Sequence, residues 1–266
     1  MKVANGKTDA DMDVSGSLVL ASITQRVIRL RDLCSGFDEN FFCHIRDAHA
    51  AIRDSSSRTA LNESESAESA LQHLKQALIK RYMVPEMQTH KTVVNDLLSD
   101  ITPHRGSIRV LVFSLGFDSN LWNQANNDTN IWFVEDHSDY IKMNKDIDRS
   151  RIVYHVYKGI NVTCSLHMPA EKLESYPMPA ALTEHGPYDV IFIDGPMGYS
   201  NENPGRLLPV YWSINRLSRR GTAIYLDDVQ RPLEAALVYR FLPRNVAHLT
   251  RYYSAREGSV RFLVRR

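Results

Sequence analysis

What the chain lacks narrows it before anything it contains. Cysteine is scarce: Cys34, Cys43 and Cys164 are three in 266 residues, odd in number and without a CxxC pair. That argues against a disulfide framework. Cys43-His44 with His49 has no recognised ligand spacing, so a zinc site is not indicated and no metal is expected. No apolar run approaches the roughly 18 residues a membrane helix needs. The polar opening MKVANGKTDADMDVSG has no apolar core of a signal peptide. A net charge of +1 gives no broad field to capture nucleic acid or an anionic bilayer. These absences lead us to expect a soluble, cytoplasmic chain that acts on a small molecule, with neither nucleic acid nor membrane as partner. Catalytic fingerprints are missing too. There is no GxxxxGK[ST] loop for phosphates, no GxSxG nucleophile elbow and no HExxH. GxGxxG is also absent, which argues against a dinucleotide, because a pyrophosphate needs those glycines and a helix N-terminus.

What remains divides into two textures. Residues 1–15 are polar and are expected to form a flexible N-terminus. Residues 16–102 carry helical periodicity and little strand signal. Leu20, Ile23, Val27, Ile28 and Leu30 paint one helix face, and Asp38 is a candidate N-cap for a second helix. SSSRTALNESES is a polar break. ESALQHLKQALIKRY then aligns Leu71, Leu74, Leu78 and Ile79 until Pro85, and EMQTHKTVVNDLLSDI predicts a further helix. This half is either a bundle packed on the rest or a lid over a site.

Residues 103–266 read as an α/β domain. IRVLVFSL, NIWFVED, RIVYHVY, YDVIFIDG and GTAIYLDDV are apolar runs of the kind buried on both faces of a parallel sheet. VAHLTRYYS and SVRFLVRR, separated by Glu257-Gly258, read as a terminal antiparallel hairpin. Alternating strands and helices give an α/β sheet. Five parallel strands plus a hairpin match a Rossmann-like variant, the class I S-adenosylmethionine (SAM) methyltransferase fold, by analogy.

Ligands in such sheets sit beyond the C-terminal ends of the strands. The first strand end offers Ser114, Gly116, Asp118 and Ser119, with Gly116 allowing a tight turn. The second offers Glu135 and Asp136, and Glu135 follows Gly116 by 19 positions. That is near the offset of about 20 at which an acid meets ribose hydroxyls. The fourth ends in DGPMGYSNENPGR. There Asp194 is a candidate base or ammonium partner, and Arg206 a candidate clamp for a ligand carboxylate. Asp227-Asp228 closes the fifth strand, where neighbours point apart and one of the pair is expected to face the cavity. Phe113, Phe117, Trp122, Tyr199 and Tyr211 cluster near these ends. Most read as core, and Tyr199, in a loop, is the candidate cation–π face for a sulfonium.

In order and spacing, VLVFSLGFDSNLW…IWFVED, YDVIFIDGPMGY…NPGR and YLDDVQRPLE resemble the plant glucuronoxylan 4-O-methyltransferase and irregular-xylem family over roughly residues 107–240. The resemblance implies a SAM site built on Gly116, Asp118, Glu135 and Asp194. Ser114 replaces a glycine of that family and Asp227 stands where histidine is common. The chain also resembles, more loosely in size and architecture, soluble bacterial azetidine-2-carboxylate synthases with an N-terminal helical lid. That likeness implies intramolecular cyclisation of SAM with release of methylthioadenosine, for which Asp118, Asp194, Tyr199, Ser200 and Asn201 are candidates for the polar frame. The sequence therefore favours a SAM-utilising cyclase. O-methyl transfer to a uronic sugar or small carboxylic acid is the alternative, and a SAM-fold binding protein without catalysis is a third reading.

Overall fold

The computed structural model describes residues 64–242, 246–254 and 258–265. The N-terminal stretch and the helices expected before residue 64 lie outside the described residues.

Helix α1 (Ser64–Tyr82) and helix α2 (Lys91–Ile101) open the described chain. The sequence expected the second helix to begin at Glu86. It begins at Lys91 instead, because His90 is extended (φ −69°, ψ 143°) and its ring accepts the Thr92 N–H as an N-cap. Residues 86–90 are thereby left as a strap. Val93, Val94, Leu97, Leu98 and Ile101 are all buried on one side of α2. They pack with Val110, Val112, Phe133, Phe192 and Tyr225 of the sheet in one apolar cluster. The described helices thus share a core with the α/β half.

Seven strands form one sheet: β1 (Val110–Phe113), β2 (Ile131–Glu135), β3 (Ile152–Tyr154), β4 (Tyr188–Ile193), β5 (Ser218–Asp227), β6 (Ala247–Tyr253) and β7 (Ser259–Val264). Their order is β3-β2-β1-β4-β5-β7-β6. The first five are mutually parallel, and β7 lies antiparallel between β5 and β6. Period-two alternation sends Val110 and Val112 to the α2 face, and Leu111 and Phe113 to the other. That second face is covered by α4 (Leu207–Trp212) and α5 (Pro232–Phe241), while α3 (Ser119–Ala125) follows β1 on the α2 side. Strand order reverses between β1 and β4, so the C-terminal ends of these two strands open the crevice where open α/β sheets take ligands.

Among the described residues, no helix is long and apolar enough to cross a membrane.

Candidate active site

A cavity of about 420 Å³ lies at that crevice, within the roughly 300–1,000 Å³ range of small-molecule sites. Its walls come from the ends of β1, β2, β4 and β5 and from the strap before α2.

At the β1–β2 corner, Glu135 is 4% exposed. Its two carboxyl oxygens accept the backbone N–H of Leu115 (2.6 Å) and of His137 (2.7 Å). Each oxygen keeps a second lone pair for a ligand hydroxyl. Burial raises the carboxyl to about 7, against the pull of those two N–H donors. Asp118, also raised by burial, accepts the Thr89 hydroxyl at 2.8 Å. This bond ties the strap to the turn after β1. Asp136 lines the same wall and is likewise raised by burial.

At the β4–β5 corner three carboxylates meet. Asp194, Asp227 and Asp228 each offer an oxygen within 4.8 Å of the others. Arg206, only 2% exposed, is set among them. Its Nη2 lies 3.0 Å from Asp194 Oδ1 and 2.5 Å from Asp228 Oδ2, and its Nη1 donates to the Asp227 carbonyl at 2.7 Å. The chain can tuck this side chain inward because Gly205 precedes it at φ +69°. A Cβ there would sit 2.4 Å from Leu233 Cδ2. Burial works against the Arg206 charge, yet Asp228, Asp194, Glu234 and Asp227 hold it above its ordinary value. Asp194 is pushed well up, first by burial and then by the charge of Asp227, with Arg206 opposing. Asp227 accepts the Ser259 hydroxyl, and Arg231 reaches Asp228 at 2.8 Å.

Between the corners, Ser114 adopts φ +119°, a region that side chains rarely occupy. Gly195 abuts it: a Cβ on Gly195 would fall 2.7 Å from the Ser114 Cβ. Ser114 therefore carries backbone strain where it lines the cavity.

Of the candidate catalytic and cofactor-binding residues, Ser114, Gly116, Asp118, Glu135, Asp136, Asp194, Tyr199 and Arg206 line the cavity. Three do not. Ser119 is fully buried and its hydroxyl accepts the Gly116 N–H at 2.8 Å, so it braces the turn instead of meeting a ligand. Ser200 and Asn201 lie further along the loop, outside the lining. Arg206 clamps carboxylates of the protein itself, those of Asp194 and Asp228. The expectation that one of Asp227 and Asp228 faces the cavity also fails, since both line it. Strand alternation stops at Asp227, and Asp228 turns back at φ +59°. Phe113, Trp122 and Tyr211 are core, whereas Phe117 (49% exposed) and Tyr199 (71%) stand at the rim.

Sequence reasoning missed Thr89, Arg231 and Ser259. Thr89 gave no local signal, because it reaches Asp118 across 29 positions. Ser259 was legible in principle, because antiparallel pairing of β7 with β5 sets it opposite Asp227.

The strand order, with β7 inserted antiparallel, and the cavity at the β1–β4 reversal define a class I SAM methyltransferase fold. No protein-family model matches the chain. The chain is 26% identical to glucuronoxylan 4-O-methyltransferase 1 of Arabidopsis thaliana over 221 residues, which span 72% of this chain and 73% of that protein. It is 30% identical to arabinogalactan O-methyltransferase 2 of the same plant over 156 residues, spanning 50% of this chain and 54% of the relative. Among solved structures, it aligns with the O-methyltransferase TomG of Streptomyces achromogenes, crystallised with SAM, at a TM-score of 0.44 and 16% identity, covering 82% of this chain and 96% of that one.

Proposed function

We propose that the cavity binds SAM and that the protein transfers its methyl group to an oxygen of a small acceptor: a uronic sugar, the class that the names of its relatives suggest, or a small carboxylic acid. The observation that carries this reading is Glu135: a buried carboxyl at the end of β2, open to the cavity, 19 positions after the Gly116 turn. Its free lone pairs suit the two ribose hydroxyls. Asp118 and Asp136 extend an acidic wall that suits a cationic ligand, and the Tyr199 and Phe117 rings at the rim offer faces to a sulfonium. When bound, SAM supplies an electrophilic methyl on a positively charged sulfur.

The chain's own part is to orient and to move one proton. Asp194, raised above the usual carboxylate range, accepts the acceptor hydroxyl's proton as the oxygen bonds to the methyl carbon and the carbon–sulfur bond breaks. The products are the methyl ether or ester and S-adenosylhomocysteine.

Cyclisation of SAM to azetidine-2-carboxylate was the sequence's first expectation. The named relatives are O-methyltransferases, and they support transfer to oxygen over ring closure. Incubation of the purified chain with SAM alone, and with SAM plus a glucuronic-acid-bearing oligosaccharide or small carboxylic acids, separates the two by mass spectrometry. S-adenosylhomocysteine formed only with acceptor is the expected result. Methylthioadenosine with azetidine-2-carboxylate from SAM alone would overturn it. SAM binding without any product would leave a non-catalytic binding protein.

A further inference from the structure

Three carboxylates whose oxygens converge within 4.8 Å have the donor set of a divalent-cation site. One oxygen of each, however, is already engaged. Asp228 Oδ2 receives Arg206 Nη2 at 2.5 Å and Arg231 Nη1 at 2.8 Å, which uses both lone pairs of that oxygen. Asp194 Oδ1 receives the same Arg206 nitrogen at 3.0 Å. Asp227 Oδ1 receives the Ser259 hydroxyl.

We propose that Arg206 occupies this cage as a tethered counter-cation, so that the trio is closed to divalent metal ions. The guanidinium is well suited to the place. Its planar fork spans two carboxylates and two main-chain carbonyls at once, and it stays charged when buried. A magnesium-sized ion needs oxygens at about 2.0–2.1 Å in near-octahedral array, and the Nη2 atom fills the space between Asp194 and Asp228 where such an ion would sit. Unlike a metal, this cation cannot dissociate. It also holds the Asp194 carboxyl in one orientation at the cavity wall through contacts to both Oδ1 and the main-chain carbonyl. Arg206 is thus a positioning residue whose charge is built into the chain at the Pro204-Gly205-Arg206 turn.

The proposal concerns the cage alone and does not require that SAM be the ligand. Isothermal titration of the full chain, dialysed against chelator, with magnesium, manganese or cobalt chloride tests it. The wild type is expected to give no saturable heat, whereas Arg206→Gln, which vacates the charge, gains saturable binding of at least one ion. Adding Asp227→Asn to that variant is expected to weaken the gained binding at least tenfold. Stoichiometric metal binding by the wild type would overturn the proposal, as would a folded Arg206→Gln chain that binds none of the three. If Arg206→Gln does not fold, Arg206→Lys replaces it. That variant keeps the positive charge and must remain silent, and saturable binding there would overturn the proposal.

Discussion

Two corners of one sheet edge hold their carboxylates by opposite means. At the β1–β2 corner, Glu135 and Asp118 are met by neutral donors: two backbone N–H groups and the Thr89 hydroxyl. At the β4–β5 corner, Asp194 and Asp228 are met by a buried guanidinium. Neutral donors leave a carboxyl free to change protonation and to accept further hydroxyls. A fixed cation holds the geometry of the carboxylates it touches. On the proposed function, the first arrangement suits holding a ligand, and the second suits holding the group that works on it.

The largest effect is expected from removing the cation. Arg206→Ala leaves the half-buried Asp194 without its cation and Asp228 with Arg231 alone, and should destabilise the fold by about 3 kcal/mol, read by denaturant unfolding. A loss below about 1 kcal/mol would mean the two corners differ less than their geometry implies.

Next is the pH response of Glu135. Its carboxyl sits at about 7 in the folded protein against an ordinary 4.5, so folding takes up a proton between those values. Its contribution therefore favours the fold at low pH and declines as pH rises from 4.5 through 7, by about 3 kcal/mol in all. Unfolding free energies at pH 5 and pH 8 should show this slope in the wild type and a flatter one in Glu135→Gln. Ribose hydroxyls donate to the ionised form, so SAM affinity should rise across the same window.

Ser114→Gly should relieve the φ +119° strain, worth about 1–3 kcal/mol, offset by the greater backbone entropy of glycine, about 0.5–1 kcal/mol. A net gain of about 1 kcal/mol in thermal unfolding is expected, and a net loss would remove the strain argument. The smallest effect belongs to Thr89→Val, which deletes the strap's hydrogen bond to Asp118 at about 1 kcal/mol. It should weaken ligand binding severalfold while leaving the β4–β5 corner's metal silence untouched.

The strands were legible because runs such as VLVF and VIFI are apolar on both faces, and only a covered parallel sheet accommodates that. Glu135 was legible for a related reason: chain spacing fixes how far one strand end stands from the next. Arg206 was visible as a residue but its partners within the chain were not, because an arginine's partners depend on which way the Gly205 turn throws it. The strap was misassigned to a helix. Its helical composition was overridden by His90 capping one turn later and by the Thr89–Asp118 bond, neither of which leaves a periodic trace.

The contact between Ser114 and Gly195 reaches further than its energy. The ends of β1 and β4 leave room there for one Cβ atom, and Ser114 has taken it. The two positions are therefore sterically coupled. A lineage that acquires a side chain at 195 must surrender the one at 114 in the same stroke or spread the cavity floor. Rim positions 117 and 199, both exposed, face no such constraint.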